Sequence, residues 1–224
     1  MDHDTGDWSQ QETPHGVVRA WRDVPTQATQ VGVVVVQEIF GVNAHIRRVV
    51  ARFAAAGIEA VAPALFDPLE PGVELAYDDA GTQHGRALAA GIGFGRALDI
   101  VASTASTLQA RVPVVAVVGF CWGGTVALLA NTRLGRPCVD YYGGRSMPFL
   151  GEPLRAPALM HFGLRDPLIP PTVVQAHRDA HPGATIHTYD AGHGFNCEAR
   201  ADFDADASAL AWSRTLDFLQ GLTP

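Results

Sequence analysis

The chain has 224 residues, 47% hydrophobic and 17% charged, a balance that builds one sizeable packed α/β domain and excludes a disordered protein. Its formal net charge of −7 excludes nucleic acid as the main partner, because phosphate binding needs a basic face. Cys121, Cys138 and Cys197 cannot all pair within one chain and match no zinc-site spacing, which points to a reducing compartment and to no metal.

The N-terminal MDHDTGDWSQQ lacks the basic-then-apolar order of a signal peptide. The longest aliphatic runs are strand-length, far too short to span a bilayer. A soluble, monomeric cytoplasmic protein with no membrane partner is expected. Residues 1–15 are polar and read as a loose arm, and HGVVRAWR (15–22) reads as a short edge strand. VGVVVV (31–36) is a continuous β-branched run, the pattern of a strand buried on both faces of a parallel sheet. Asn43 then caps a helix whose Ile46, Val49, Val50 and Phe53 share one face, with Gly57 as its stop. IEAVA (58–62) is a strand closed by Pro63.

Residues 64–92, with Pro68, Pro71 and several glycines, read as an irregular insertion of the kind that covers a site. Leu98, Val101, Ala105 and Leu108 keep helical spacing; VPVVAVV (112–118) is a buried strand and WGGTVALLANTR (122–133) a helix. PCVDYY (137–142) and APALMHF (156–162) are strands, PTVVQAHRDAH (171–181) a helix, ATIHTYD (184–190) a strand, and 205–220 a closing amphipathic helix. This alternation, without internal repeats, predicts one domain over 1–224: a mostly parallel central sheet with helices on both faces. In such sheets ligands bind beyond the carboxyl ends of the strands.

Three strand ends there carry chemistry. Gly119-Phe-Cys-Trp-Gly123 is a G-x-C-x-G turn, which lifts Cys121 to the apex between a strand and a helix whose N-terminus favours thiolate. Alone, the motif also fits a buried, inert cysteine. Asp166, in GLRDPLIP, and His193, in AGHGFNC, each follow a strand, in the order nucleophile, acid, histidine of an α/β-hydrolase triad. In that chemistry a thiolate attacks an acyl carbon, histidine moves the proton and aspartate fixes the imidazole tautomer. The backbone amides of Trp122 and Ile39 are the expected oxyanion-hole donors. Glu38, at the end of the first buried strand, is directed at the same crevice in this reading, with Ile39 and Phe40 as apolar neighbours.

These residues resemble the dienelactone hydrolase (carboxymethylenebutenolidase) family of α/β-hydrolases. The resemblance rests on QEIFGVN (37–43), GFCWGG (119–124), DYYGG (140–144), GLRDPLIP and AGHGFNC (191–197), and spans most of the chain from Val31 onward. It implies the α/β-hydrolase fold and a Cys–His–Asp hydrolase of lactones or esters, needing no cofactor. It further implies that Glu38 takes the thiol proton once substrate is bound, and that the Ile39 and Trp122 amides form the oxyanion hole. The family's archetype clamps its substrate carboxylate with two arginines. Arg86 is the candidate for the first; the position of the second, four residues after the histidine, is Cys197 here, with Arg200 three residues on and Arg145 after the tyrosines. Tyr142, Phe40 and Cys197 complete the expected pocket lining, with packing roles open for Trp122, Tyr141, Tyr142 and Cys197.

Cys138 reads as core, His161 as a hydrogen-bonded framework residue, and His177, His181 and His187 as surface positions. Two alternatives stand beside the anionic-lactone reading. One is a broader carboxylesterase or thioesterase, motivated by Cys197 in the arginine position. The other is a non-catalytic scaffold that binds a ligand or senses redox state through Cys121.

Overall fold

A computed structural model describes residues 6–27 and 30–223. The chain falls into two compact units that meet inside one strand, the first running to Ala116 and the second from Val117 to Leu222. Of the expected arm, residues 1–5 lie outside the described residues. The remainder is not loose: β1 (Asp7–Thr13) pairs antiparallel with β2 (Gly16–Asp23) along its whole length. Trp8 meets Trp21 edge to face across the pair, and the Arg19 guanidinium lies over the Trp8 ring. The strand at 15–22 is therefore not an edge strand, since β1 covers its outer side and β4 its inner side.

In the first unit the strand order is β1-β2-β4-β3, then the first residues of β5. All six residues of β3 (Val31–Val36) are buried, and it runs parallel to β4 (Glu59–Pro63). Between them lies α1 (Ala44–Ala55), capped by the Asn43 side chain, which accepts from the Ile46 N–H. Its buried Ile46, Val49, Val50 and Phe53 form the expected face, and Gly57 (φ 81°) turns the chain after it. This helix packs on β2, β3 and β4.

The segment 64–92 is the largest correction. Only its first part is irregular; from Asp79 it is helix, opening the long α2 (Asp79–Gln109) with the Asp78 carboxylate accepting from the Gly81 N–H. A break at Gly93 (φ 66°) divides α2. Two of its glycines mark close approach: a Cβ at Gly81 would overlap the Ala76 carbonyl oxygen, and one at Gly85 that of Ile39. By length and composition α2 passes for a membrane span, but it packs on β1, β3 and β4 as a core helix.

In the second unit β5 (Val114–Phe120), β6 (Cys138–Tyr141), β7 (Ala158–Gly163) and β8 (Thr185–Tyr189) are consecutive and parallel. The helix α3 (Trp122–Leu134) packs on β6, and the closing α5 (Ala205–Gln220) on β7. The remaining helix, α4 (Pro171–Ala180), corrects the placing of two histidines. His177 and His181 are buried; His177 donates from Nδ1 to the Val173 carbonyl, and its Nε2 meets the Ser146 hydroxyl at 2.7 Å. Cys138 is fully buried, as expected.

Substituting Gly85→Ala puts a methyl group into the Ile39 carbonyl. It is expected to destabilise the protein by about 1–3 kcal/mol, read as a lower urea midpoint at unchanged m-value. An unchanged midpoint would mean that α2 does not need this close approach.

Candidate active site

β5 runs into α3 with no loop between them, and Cys121 is the joint. Its φ of 53° and ψ of −117° are unfavourable for a residue with a side chain. Two features hold it there. The Cys121 N–H donates to the Tyr141 carbonyl at 2.9 Å, and its own carbonyl accepts from the Gly124 N–H at 3.0 Å. A Cβ at Gly119 would overlap the Gly123 carbonyl oxygen, so the turn closes only with glycine at 119. Cys121 is half-buried and its sulfur stands at the α3 N-terminus, where first-turn N–H groups, Trp122 among them, lack acceptors within the helix.

The loops after β7 and β8 bring the other two residues to this sulfur. His193 Nε2 lies 3.1 Å from Cys121 Sγ, and Nδ1 lies 2.7 Å from Asp166 Oδ2. The second Asp166 oxygen accepts from the Leu168 N–H at 2.8 Å, which fixes the carboxylate orientation. Asp166 and His193 are both buried. Burial by itself disfavours a charged imidazole, but the hydrogen bonds to Asp166 and Cys121 and the charges behind them outweigh it, lifting the His193 pKa to about 10. The favoured form is therefore an imidazolium that donates to both neighbours.

A model of the dienelactone hydrolase family matches residues 18–223. A carboxymethylenebutenolidase of Pseudomonas putida is 33% identical over 211 residues, covering 88% of this chain and 89% of its own. Carboxymethylenebutenolidase 1 of Cupriavidus pinatubonensis is 30% identical over 215 residues, covering 89% of this chain and 90% of its own. The chain belongs to the dienelactone hydrolase family. Among solved structures, a Klebsiella pneumoniae protein assigned to the dienelactone hydrolases superposes with a TM-score of 0.83 at 26% identity, covering 96% of this chain and 98% of that one. The fold is that of the α/β-hydrolases, and the parallel strands with packed helices in each unit are what the sequence predicts.

The other expected site residues of this family member are distributed unevenly. In the second unit the Tyr142 ring meets His193 edge to face at 5.2 Å between centroids, and Phe195 at 5.4 Å. Cys197 is fully buried behind the histidine loop. Arg200 lies along that loop: a Cβ at Gly194 would be 2.6 Å from its Nε. Arg145 is exposed, with its N–H donating to the Thr125 hydroxyl. In the first unit Glu38 is fully buried and accepts from the Tyr77 hydroxyl at 2.8 Å. Phe40 packs on the Tyr77 ring, and Arg86 is exposed on α2. Tyr77 was not found from sequence; the one available signal was a phenol next to the Asp78 cap. Also missed was Asp140, wholly buried in β6, whose carboxyl burial pushes up to about 7 against the pull of the Gly143 N–H.

The raised His193 pKa carries a sign for stability. A group whose pKa lies above its ordinary value of 6.5 when folded stabilises fully below 6.5, and that contribution is lost as pH rises through about 10. The stability gap between wild type and His193→Gln, followed by thermal unfolding, is therefore expected to narrow as pH rises across this window. A gap that widens with pH would contradict the imidazolium assignment.

Proposed function

We propose that the protein is a cysteine hydrolase that opens lactone or ester bonds of small, anionic substrates through an acyl-enzyme on Cys121. The observation that carries this reading is the unbroken hydrogen-bonded run from Cys121 Sγ through His193 to Asp166, ending on a strained elbow. In the first half-reaction the thiolate sulfur bonds to the acyl carbon and the carbonyl π electrons move to oxygen. The Trp122 amide, at the α3 N-terminus, donates to that oxyanion. Collapse breaks the acyl C–O bond, and the imidazolium gives its Nε2 proton to the leaving alkoxide. In a lactone the leaving oxygen stays tethered to the acyl chain. Neutral His193 then takes a proton from water, hydroxide adds to the thioester, and the thiolate leaves with the acid as product.

Asp166 holds the Nδ1 proton throughout and supports the positive ring. The family resemblance adds Glu38 as acceptor of the thiol proton and the Ile39 amide as a second oxyanion donor. A reducing cytoplasm suits this chemistry, because oxidation of Cys121 ends it. The test is Cys121→Ala: turnover of cis-dienelactone and p-nitrophenyl acetate should fall by about 10³-fold or more, and mass spectrometry of quenched wild type should find the acyl group on Cys121. Full activity in the variant overturns the reading.

Substrate charge has its own support. The guanidinium of Arg200 lies along the histidine loop and supplies a cation that Cys197 cannot. Arg200→Ala should therefore raise KM for a carboxylate-bearing lactone by roughly tenfold and leave a neutral aryl ester within about twofold. The broader esterase or thioesterase reading draws on Cys197, buried and uncharged at the arginine position. Equal, small effects on both substrates would favour it.

A further inference from the structure

We infer that Asp140 is a positioning residue for the acyl-transfer site: its buried carboxyl ties the Tyr142–Gly143 turn to the first turn of α3 and so holds the Tyr142 ring against His193. The inference rests on the proposed role of Cys121, His193 and Asp166, and Asp140 takes no part in that set. Burying a carboxyl is costly, and an apolar residue would fill β6 at lower cost if filling were the only task. Its Oδ1 accepts from the Gly143 N–H at 2.7 Å, while Oδ2 has no hydrogen-bond partner among the described residues. A Cβ at Gly124 would overlap Oδ1, and one at Gly143 would lie 2.5 Å from both oxygens. The carboxyl is wedged between α3 and the turn after β6, with glycine at both contacts.

Tyr142 sits inside that turn with φ 46°, a left-handed conformation that costs a tyrosine strain. Two bonds fix it: Tyr142 N–H to the His161 carbonyl at 2.9 Å, and the Asp140–Gly143 clamp on its far side. What the strain achieves is placement of the ring on His193. Asp166 holds the imidazole at Nδ1 alone, and a single hydrogen bond leaves a ring free to tilt about that contact. Tilt is what the 3.1 Å approach of Nε2 to Sγ cannot tolerate. The Tyr142 ring, itself backed by Phe195, restrains it.

The experiment compares wild type with Asp140→Ala and Asp140→Asn by kcat and KM on p-nitrophenyl acetate, and by the pH profile of Cys121 alkylation with iodoacetamide. Alkylation needs no turnover, and Cys138 and Cys197 are fully buried. Asp140→Ala should lower kcat about tenfold with KM within about threefold, because misplacement of a catalytic group acts on the chemical step. It should also move the acid limb of the alkylation profile up by about one pH unit, since a tilted imidazolium supports the thiolate less well. Asp140→Asn keeps an oxygen for the Gly143 N–H and should recover most of both losses. The inference is overturned if Asp140→Ala lowers only the melting temperature, or if Asp140→Asn is as impaired as Asp140→Ala. Should Asp140→Ala not fold, Tyr142→Leu removes the ring directly and must shift the alkylation profile the same way; an unshifted profile overturns the inference. Failure of the hydrolase reading is seen separately, as activity surviving in Cys121→Ala.

Discussion

A side chain at residue 119 would occupy the space of the Gly123 carbonyl, and that steric fact decides where Cys121 stands. Because the two backbone segments close so tightly, Cys121 has no relaxed conformation to adopt and is held at φ 53°. The sulfur is thereby lifted clear of β5 and set at the mouth of α3. β7 and β8 are parallel neighbours, so their C-terminal loops emerge on one side, and Asp166 and His193 need only short loops to meet.

Strain recurs at Tyr142, the one other described non-glycine residue with positive φ. The two strained residues are joined through the backbone: the Cys121 N–H donates to the carbonyl of Tyr141, immediately before Tyr142. Such conformations persist only where the surroundings over-determine them. Here the surroundings are the glycines at 119, 124 and 143 and the Asp140 carboxyl, gathered where β5 passes into α3 and β6 into the turn after it.

The candidate residues Cys121, Asp166 and His193 were legible because each falls where an apolar strand gives way to a turn marked by glycine or proline, a pattern that depends on local chemistry alone. The strands β3 to β8 were legible for the same reason. β1 was not: DWSQQET is mostly polar, and it is ordered by its pairing with β2, the Trp8–Trp21 contact and the packing of α2 on it. Gly81 and Gly85 of α2 read as loop because their contacts, with the carbonyls of Ala76 and Ile39, lie outside the helix. His177 and His181 read as surface because the histidine side chain is polar; burial requires the partner that Ser146 supplies to His177, and sequence does not announce it. The same holds for Asp140, whose role exists only through a turn three residues away.

The charge state of His193 bears on the proposal that the Cys121 thiol is the nucleophile. Its pKa of about 10 makes the imidazolium the dominant form at neutral pH. A serine at 121 would need the opposite form, a neutral ring ready to take the hydroxyl proton, because an alcohol does not ionise unaided. A thiol gives up its proton far more readily, and the imidazolium then stabilises the thiolate as an ion pair. Burial of His193 pulls its pKa down, and the bonds to Asp166 and Cys121 reverse that pull. The protonated ring is thus a product of its two partners, and the cysteine nucleophile proposed at 121 is of the kind that makes use of it.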